Sequence, residues 1–164
     1  MKVEVVVAAG MHLVLVLAVA NAGERELKRS NVPKAVLEAA AARLSEAVMV
    51  GFSVEEESGK TVYEVRLEVR TRRVDLDITP DGKVLSEERT IARDELPDAV
   101  RKSLASSRYA RAKVRRIEEV IDAARPDAPT YELVVEQAGR RHELVFSHTG
   151  ELVGAEAKTK GEKD

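Results

Sequence analysis

Apolar and polar residues alternate strictly along the middle of the chain. Tyr63, Val65, Leu67 and Val69 are interleaved with Glu64, Arg66, Glu68 and Arg70, and after a short break Val74, Leu76 and Ile78 are interleaved with Arg73, Asp75 and Asp77. A period of two sends successive side chains to opposite faces, so the stretch predicts an antiparallel hairpin with one apolar and one charged face. With the turn at Arg70-Thr71, Glu68 falls opposite Arg73 and Arg66 opposite Asp75, cross-strand pairs of about 0.2–1 kcal/mol each. The same register downstream makes Ala138-Gly139 the turn and sets Glu136 opposite Arg141. Further strands are expected over about Val48 to Glu55 and about Val84 to Thr90.

Short elements recur. Val32-Pro33-Lys34-Ala35-Val36 returns as Leu96-Pro97-Asp98-Ala99-Val100, Tyr63-Glu64-Val65 as Tyr131-Glu132-Leu133, and Asp81-Gly82-Lys83-Val84-Leu85 as Thr149-Gly150-Glu151-Leu152-Val153. Recurrence at offsets of 64 to 68 residues predicts a duplicated unit. Each copy opens on a short helix, because proline is tolerated at a first turn and the aliphatic residue before it can staple onto the next turn. Val36, Ala40 and Leu44 in one copy, and Val100 and Leu104 in the other, keep the i, i+4 spacing of a buried helical stripe. Val114, Ile117, Val120 and Ile121 also fit helical spacing, but the matching first-copy segment A-V-M-V-G-F-S-V-E is strand-like, so a strand is expected there. The expected fold is α+β, with two tandem units, each a short helix packed on an antiparallel sheet of about four strands. The boundaries are 31–92 and 94–158, followed by a polar tail at 159–164.

Composition narrows the classes. The 164 residues carry 27 basic and 29 acidic side chains, a net charge of −2, so no overall field favours nucleic acid or an anionic membrane. Aromatics make up 3% and tryptophan is absent, leaving few platforms for stacking nucleic-acid bases. Lys2, an apolar run from Val5 to Ala20 and Ala20-Asn21-Ala22 read as a secretory signal peptide at 1–22, with Met11 as an alternative start. An uncleaved anchor is the rival reading, although the run is shorter than the roughly 20 apolar residues of a span and carries His12. A periplasmic or secreted location follows. With no cysteine in the chain, neither a disulfide frame nor thiol chemistry is available.

Candidate chemistry is sparse. Asp77-Ile78-Thr79-Pro80-Asp81-Gly82-Lys83-Val84-Leu85-Ser86-Glu87-Glu88 has nearly the spacing of a calcium loop, with Asp77, Asp81 and Glu88 as carboxylate ligands. The second copy keeps the glycine, as Gly150, but replaces Asp77 and Asp81 by Val145 and Thr149. Strand-like flanks and Thr79-Pro80-Asp81-Gly82 instead suit a turn between strands. His142 and His148 are candidate bases for a hydrolase, yet the first copy has no histidine to complete a symmetric site. Asp75 and Asp77 read as a solvated charged face beside Arg66 and Arg73. The Arg72-Arg73 and Arg140-Arg141 pairs at hairpin tips, together with Val134 and Val145 on an otherwise charged face, are the candidate contacts for a protein partner.

The Pro-led helix, the Y-E-V alternation and the D-G-K-V-L turn, in tandem behind a signal-like segment, resemble the PepSY and PepSY-like superfamily. The tandem arrangement is similar to the β-lactamase inhibitor protein architecture. The resemblance implies an exported, non-catalytic binding module without cofactor, an inhibitor or regulator of an envelope or secreted hydrolase or protease. It carries over no ligand residues. Calcium or small-ligand binding in the periplasm is the alternative.

Overall fold

The computed structural model describes residues 24–57 and 59–158; the expected signal peptide at 1–22 and the polar tail at 159–164 lie outside the described residues. The alternating segments form strands. In chain order they are β1 (Arg25–Glu26), β2 (Val48–Glu57), β3 (Lys60–Val69), β4 (Arg72–Ile78), β5 (Val84–Thr90), β6 (Lys113–Asp122), β7 (Thr130–Gln137), β8 (Arg140–Ser147) and β9 (Leu152–Ala157). Helix α1 (Lys34–Arg43) precedes β2, and α2 (Asp98–Ser106) lies between β5 and β6. The hairpin registers are those read from the alternation: Glu68 pairs Arg73, Arg66 pairs Asp75 and Glu136 pairs Arg141. Arg70 (φ 58°), Ala138 (φ 52°) and Gly139 (φ 74°) take the left-handed conformations of the two tips. The segment with helical spacing is a strand, β6.

The expected fold class is overturned. In place of two units with a sheet each, the described residues form a single antiparallel sheet of nine strands in the order β1 to β9 with two short α-helices, and they are mostly β. The junction is β5 with β6, paired from Ser86 opposite Asp122 to Thr90 opposite Glu118. Two separate four-stranded sheets would leave both strands as open edges with unpaired backbone N–H and C=O groups, and pairing them satisfies both.

Both helices pack on the same face of the sheet. Val36 and Ala40 of α1 are buried against Val65, Leu67, Val74, Leu76 and Ile78, while Val100 and Leu104 of α2 are buried against Leu133, Val135, Leu144 and Phe146. Val32 and Leu96, the aliphatics before the prolines, are buried in the same two clusters, as a staple requires. Each helix is seated by a glycine turn. A Cβ on Gly82 (φ 90°) would lie 2.9 Å from the Ala35 carbonyl oxygen, and one on Gly150 (φ 87°) 2.6 Å from that of Ala99. The two apolar clusters are separated by a polar strip. There the guanidinium of Arg43 at the end of α1 donates to Glu87 at 2.7 Å, and Arg89 pairs with Glu119.

Candidate functional site

The other face of the sheet is covered by neither helix. Because directly opposed residues share a face, the register assembles it row by row. Gly51, Arg66, Asp75, Glu88 and Val120 form one row across β2 to β6. Ser53, Glu64, Asp77, Ser86 and Asp122 form the row on one side, and Thr90, Glu118, Glu132 and Val145 the row on the other. Strand pairing puts these residues together from segments far apart in the chain, Gly51 and Val120 standing in one row. Gly51 makes room for Arg66: a Cβ there would come within 3.1 Å of the guanidinium.

In the middle of this face seven carboxylates (Glu64, Asp75, Asp77, Glu88, Glu118, Glu132, Glu143) meet four cations (Arg66, Arg73, Arg116, Lys158). Arg66 donates to Glu64 at 2.9 Å, Arg73 to Asp75 at 2.7 Å, Arg116 pairs with Glu118 at 3.2 Å, and Lys158 with Glu143 at 2.6 Å. The Ser86 hydroxyl donates to Asp77 at 2.6 Å. Glu88 and Glu132 are left over: neither side chain has a hydrogen-bond or ion-pair partner among the described residues. Burial pushes the Glu88 carboxyl up to about 9, reinforced by the charges of Glu132, Asp77, Glu118 and Asp75. Burial and then the charges of Glu143 and Glu118 raise Glu132 to about 7. Burial likewise raises Glu64, Asp77 and Glu118. Buried atoms without a hydrogen bond also occur here, among them Nε of Arg66 and of Arg116. The Ser53 hydroxyl is 1% exposed with no hydrogen bond, and Oδ1 of Asp75, 6% exposed, accepts none.

The residues singled out from the sequence are dispersed. Arg72 is exposed and paired with Glu95 at 2.8 Å. Arg73 lies on the charged face against Asp75, so Arg72 and Arg73 do not act as one tip. Arg140 and Arg141 are exposed at the other tip. Val134, expected as an exposed contact, is 3% exposed, closed in by its neighbours; Val145 is half-buried opposite Gly154 and Glu132. Asp75 and Asp77 do lie beside Arg66 and Arg73, but the expectation of a solvated face fails for Asp75, which is buried. His142 faces the helices, its ring 5.2 Å from that of Tyr109, and His148 is exposed in the last turn. The sheet therefore separates His142 from the carboxylates, and no catalytic constellation is assembled from them.

Of the metal candidates, Asp77 and Glu88 lie on the open face, whereas Asp81 sits in the exposed turn and accepts from Thr79 Oγ1 at 2.5 Å. The turn is flanked by β4 and β5, not by helices, and no group of three or more metal-ligating side chains occurs among the described residues. Glu88, named from loop spacing, belongs to the site for another reason: its place between Asp75 and Val120. Glu118, Glu132 and Glu143 were missed. Glu132 and Glu143 read in sequence as ordinary outward residues of alternating strands, and Glu118 lies in the segment whose spacing is helical.

Comparison with family models and with curated proteins finds no match. Solved structures do share the fold. A BLIP-like protein from Bacteroides fragilis is 21% identical with a TM-score of 0.64, covering 80% of this chain and 91% of its own. A DUF2874 family protein from Bacteroides uniformis is 18% identical with a TM-score of 0.65, covering 76% and 88%. A protein of Bacteroides eggerthii assigned to the periplasm is 18% identical with a TM-score of 0.66, covering 77% and 88%. The chain thus has a BLIP-like fold.

Proposed function

We propose that the chain is an exported, non-catalytic binding module of the periplasm that engages another protein through the open face of its sheet. The observation that carries this reading is the pair of carboxylates without partners among the described residues, Glu88 and Glu132, at the centre of a face that neither α1 nor α2 covers. Both are half-buried, and charged groups drawn out of water are ordinarily paired, so a face that leaves two of them without partners among the described residues has room for a complementary surface. The signal-like segment at 1–22 and the periplasmic assignment of a protein with the same fold support export. The resemblance of the sequence to PepSY-like domains and the BLIP-like fold together suggest an envelope hydrolase or protease as the partner, held by occlusion rather than modified. The hairpin-tip arginines Arg72 and Arg140 are the competing contact surface. Calcium binding has less support, since Asp81 points its carboxylate into its own turn.

The test is capture of envelope proteins on the purified chain. It runs in parallel with a tip variant (Arg72→Glu with Arg140→Glu) and a face variant (Glu88→Gln with Glu132→Gln). Specific capture lost only in the face variant supports the reading, and loss only in the tip variant moves the interface. If no envelope protein is retained, the binding role fails. Any captured hydrolase is then assayed with and without the chain for inhibition.

A further inference from the structure

The two ends of the sheet are unequal. We propose that the last strand, β9, is a pairing edge whose occupant is β9 of a second copy of the chain, run antiparallel to give a two-fold dimer with one continuous sheet.

The pairing inside the chain shows what kind of element belongs on this edge. β8 and β9 repeat the register of β4 and β5. Ile78 with Val84, Asp77 with Ser86 and Val74 with Arg89 return as Phe146 with Leu152, Val145 with Gly154 and His142 with Ala157, and the irregularity falls at the same place. β9 thus stands where β5 stands. The far side of β5 is covered by an antiparallel strand, β6, whereas the far side of β9 has no strand among the described residues. The bond from the Lys158 N–H to the Arg141 carbonyl turns the backbone groups of Ala155 and Ala157 away from β8, so they line this bare side.

The opposite end of the sheet is guarded and this one is not. β2 is capped by the two-residue β1, which takes Ser53 and Val54, and next to these it carries the exposed Glu55 and Glu56. Very short edge strands and charged edge residues are devices that prevent edge pairing. β9 reads Leu152-Val153-Gly154-Ala155-Glu156-Ala157, with one charged residue and neither lysine nor proline, and Leu152 is 37% exposed.

Charge decides which strand of a second copy fits. β2 corresponds to β6 through their matching registers with β3 and β7. Docked on β9 as β6 docks on β5, β2 would have to displace its own β1 and would set Glu55 opposite Glu156, so head-to-tail growth is disfavoured. β9 against itself, with Ala155 opposite Ala155, sets Glu156 opposite Gly154 and brings no like charges face to face. The two-fold then stands normal to the sheet. Such a contact closes on itself instead of growing, and it leaves both open faces on one side of the dimer.

The test is the mass of the purified chain by sedimentation equilibrium over a concentration series, with amide hydrogen exchange read residue by residue. Expected are a dimer and no larger species, with slow exchange at the Ala155 and Ala157 amides that speeds up on dilution to monomer. Ala155→Pro removes the outward N–H without touching a bond to β8, and Ala155→Lys sets like charges opposite each other across the two-fold. Both should be folded monomers by circular dichroism, while Glu56→Lys at the other edge stays dimeric. If Ala155→Pro does not fold, Ala155→Lys carries the test. A chain that is monomeric up to about 100 μM, a dimer that survives both changes, or a mass that keeps rising with concentration overturns the proposal. Ala155 and Ala157 amides that slow only when a captured envelope protein is present assign the edge to that protein and likewise overturn it.

Discussion

Arg89 of β5 and Glu119 of β6 stand directly opposite one another across the junction of the two halves of the sheet, joined by a hydrogen-bonded ion pair. The pair continues a polar chain from α1 to β7. Arg43 donates to Glu87, Glu87 lies 3.6 Å from Arg89, and the Tyr131 hydroxyl donates to Glu119 at 3.2 Å. Where the two apolar clusters stop short of each other, this chain crosses the gap.

Glu119→Ala should therefore act on the junction. It leaves the Arg89 guanidinium and the Tyr131 hydroxyl without an acceptor, and a loss of about 1–2 kcal/mol in urea unfolding is expected for a partly exposed charge-assisted pair. Combined with Arg89→Met, the losses should be less than additive, since both remove one interaction. Tyr131 supplies an independent readout. Burial and the Glu119 carboxylate raise its phenol to about 12, so Glu119→Gln should bring the phenol's ultraviolet titration toward the ordinary value near 10. An unchanged titration would place Glu119 away from Tyr131.

The two glycine turns make a graded prediction. Gly150→Ala combines a left-handed φ with a Cβ 2.6 Å from a backbone oxygen, Gly82→Ala the same φ class with 2.9 Å, and Gly139→Ala a left-handed φ with open space around it. The expected order of destabilisation is Gly150, then Gly82, then Gly139. The last should lose about 1 kcal/mol from the left-handed conformation alone, and the first two more, because a carbonyl must move off its helix start. Thermal unfolding of the three variants checks the order. Equal losses would show that the helix starts yield freely.

What could be read from the sequence was local. Alternation fixed the registers of β3 with β4 and β7 with β8, since a one-residue slip would turn Leu67 or Leu133 out of the core. The buried helix positions Val36, Ala40, Val100 and Leu104 followed from spacing in the same way. The pairing of β5 with β6 did not follow. Its partners are separated by α2, and three of its helix-side residues, Glu87, Arg89 and Glu119, are charged with Ile121 the apolar one, so no continuous hydrophobic pattern marks them as central. The charged site was hidden for a related reason. Glu64, Glu88, Glu118 and Glu132 look solvated one strand at a time, and only lateral assembly crowds them.

Val134 separates an interface role from a structural one. At 3% exposure on the charged face, it is covered by its neighbours rather than presented to a partner. Val134→Ala should destabilise the protein by about 1–3 kcal/mol through lost burial and a small cavity. The exposed change Arg140→Ala should stay within about 0.5 kcal/mol. Thermal melts of the two variants decide it, and a neutral Val134→Ala would mean that the face is open at that point.

The crowded carboxylates also set how stability varies with pH. Glu88 and Glu132 are raised to about 9 and about 7, so over that range the folded protein holds protons that the unfolded chain, titrating near the ordinary glutamate value, has released. The unfolded state then binds fewer protons than the folded one. Stability consequently falls as pH rises, by up to about 1.4 kcal/mol per pH unit for each proton so held. The fall begins near the unfolded value, is shared by both residues up to about pH 7, and continues through Glu88 alone to about pH 9, where it levels off. Urea unfolding at a series of pH values from 5 to 9 should show the midpoint decreasing. Glu88→Gln, which keeps the shape and removes the charge, should flatten the profile between pH 7 and 9 and be more stable than the parent at pH 9. A parent midpoint that stays level or rises over that interval would mean that Glu88 finds a counter-charge in solution, and the crowding on the open face would be relieved without a partner.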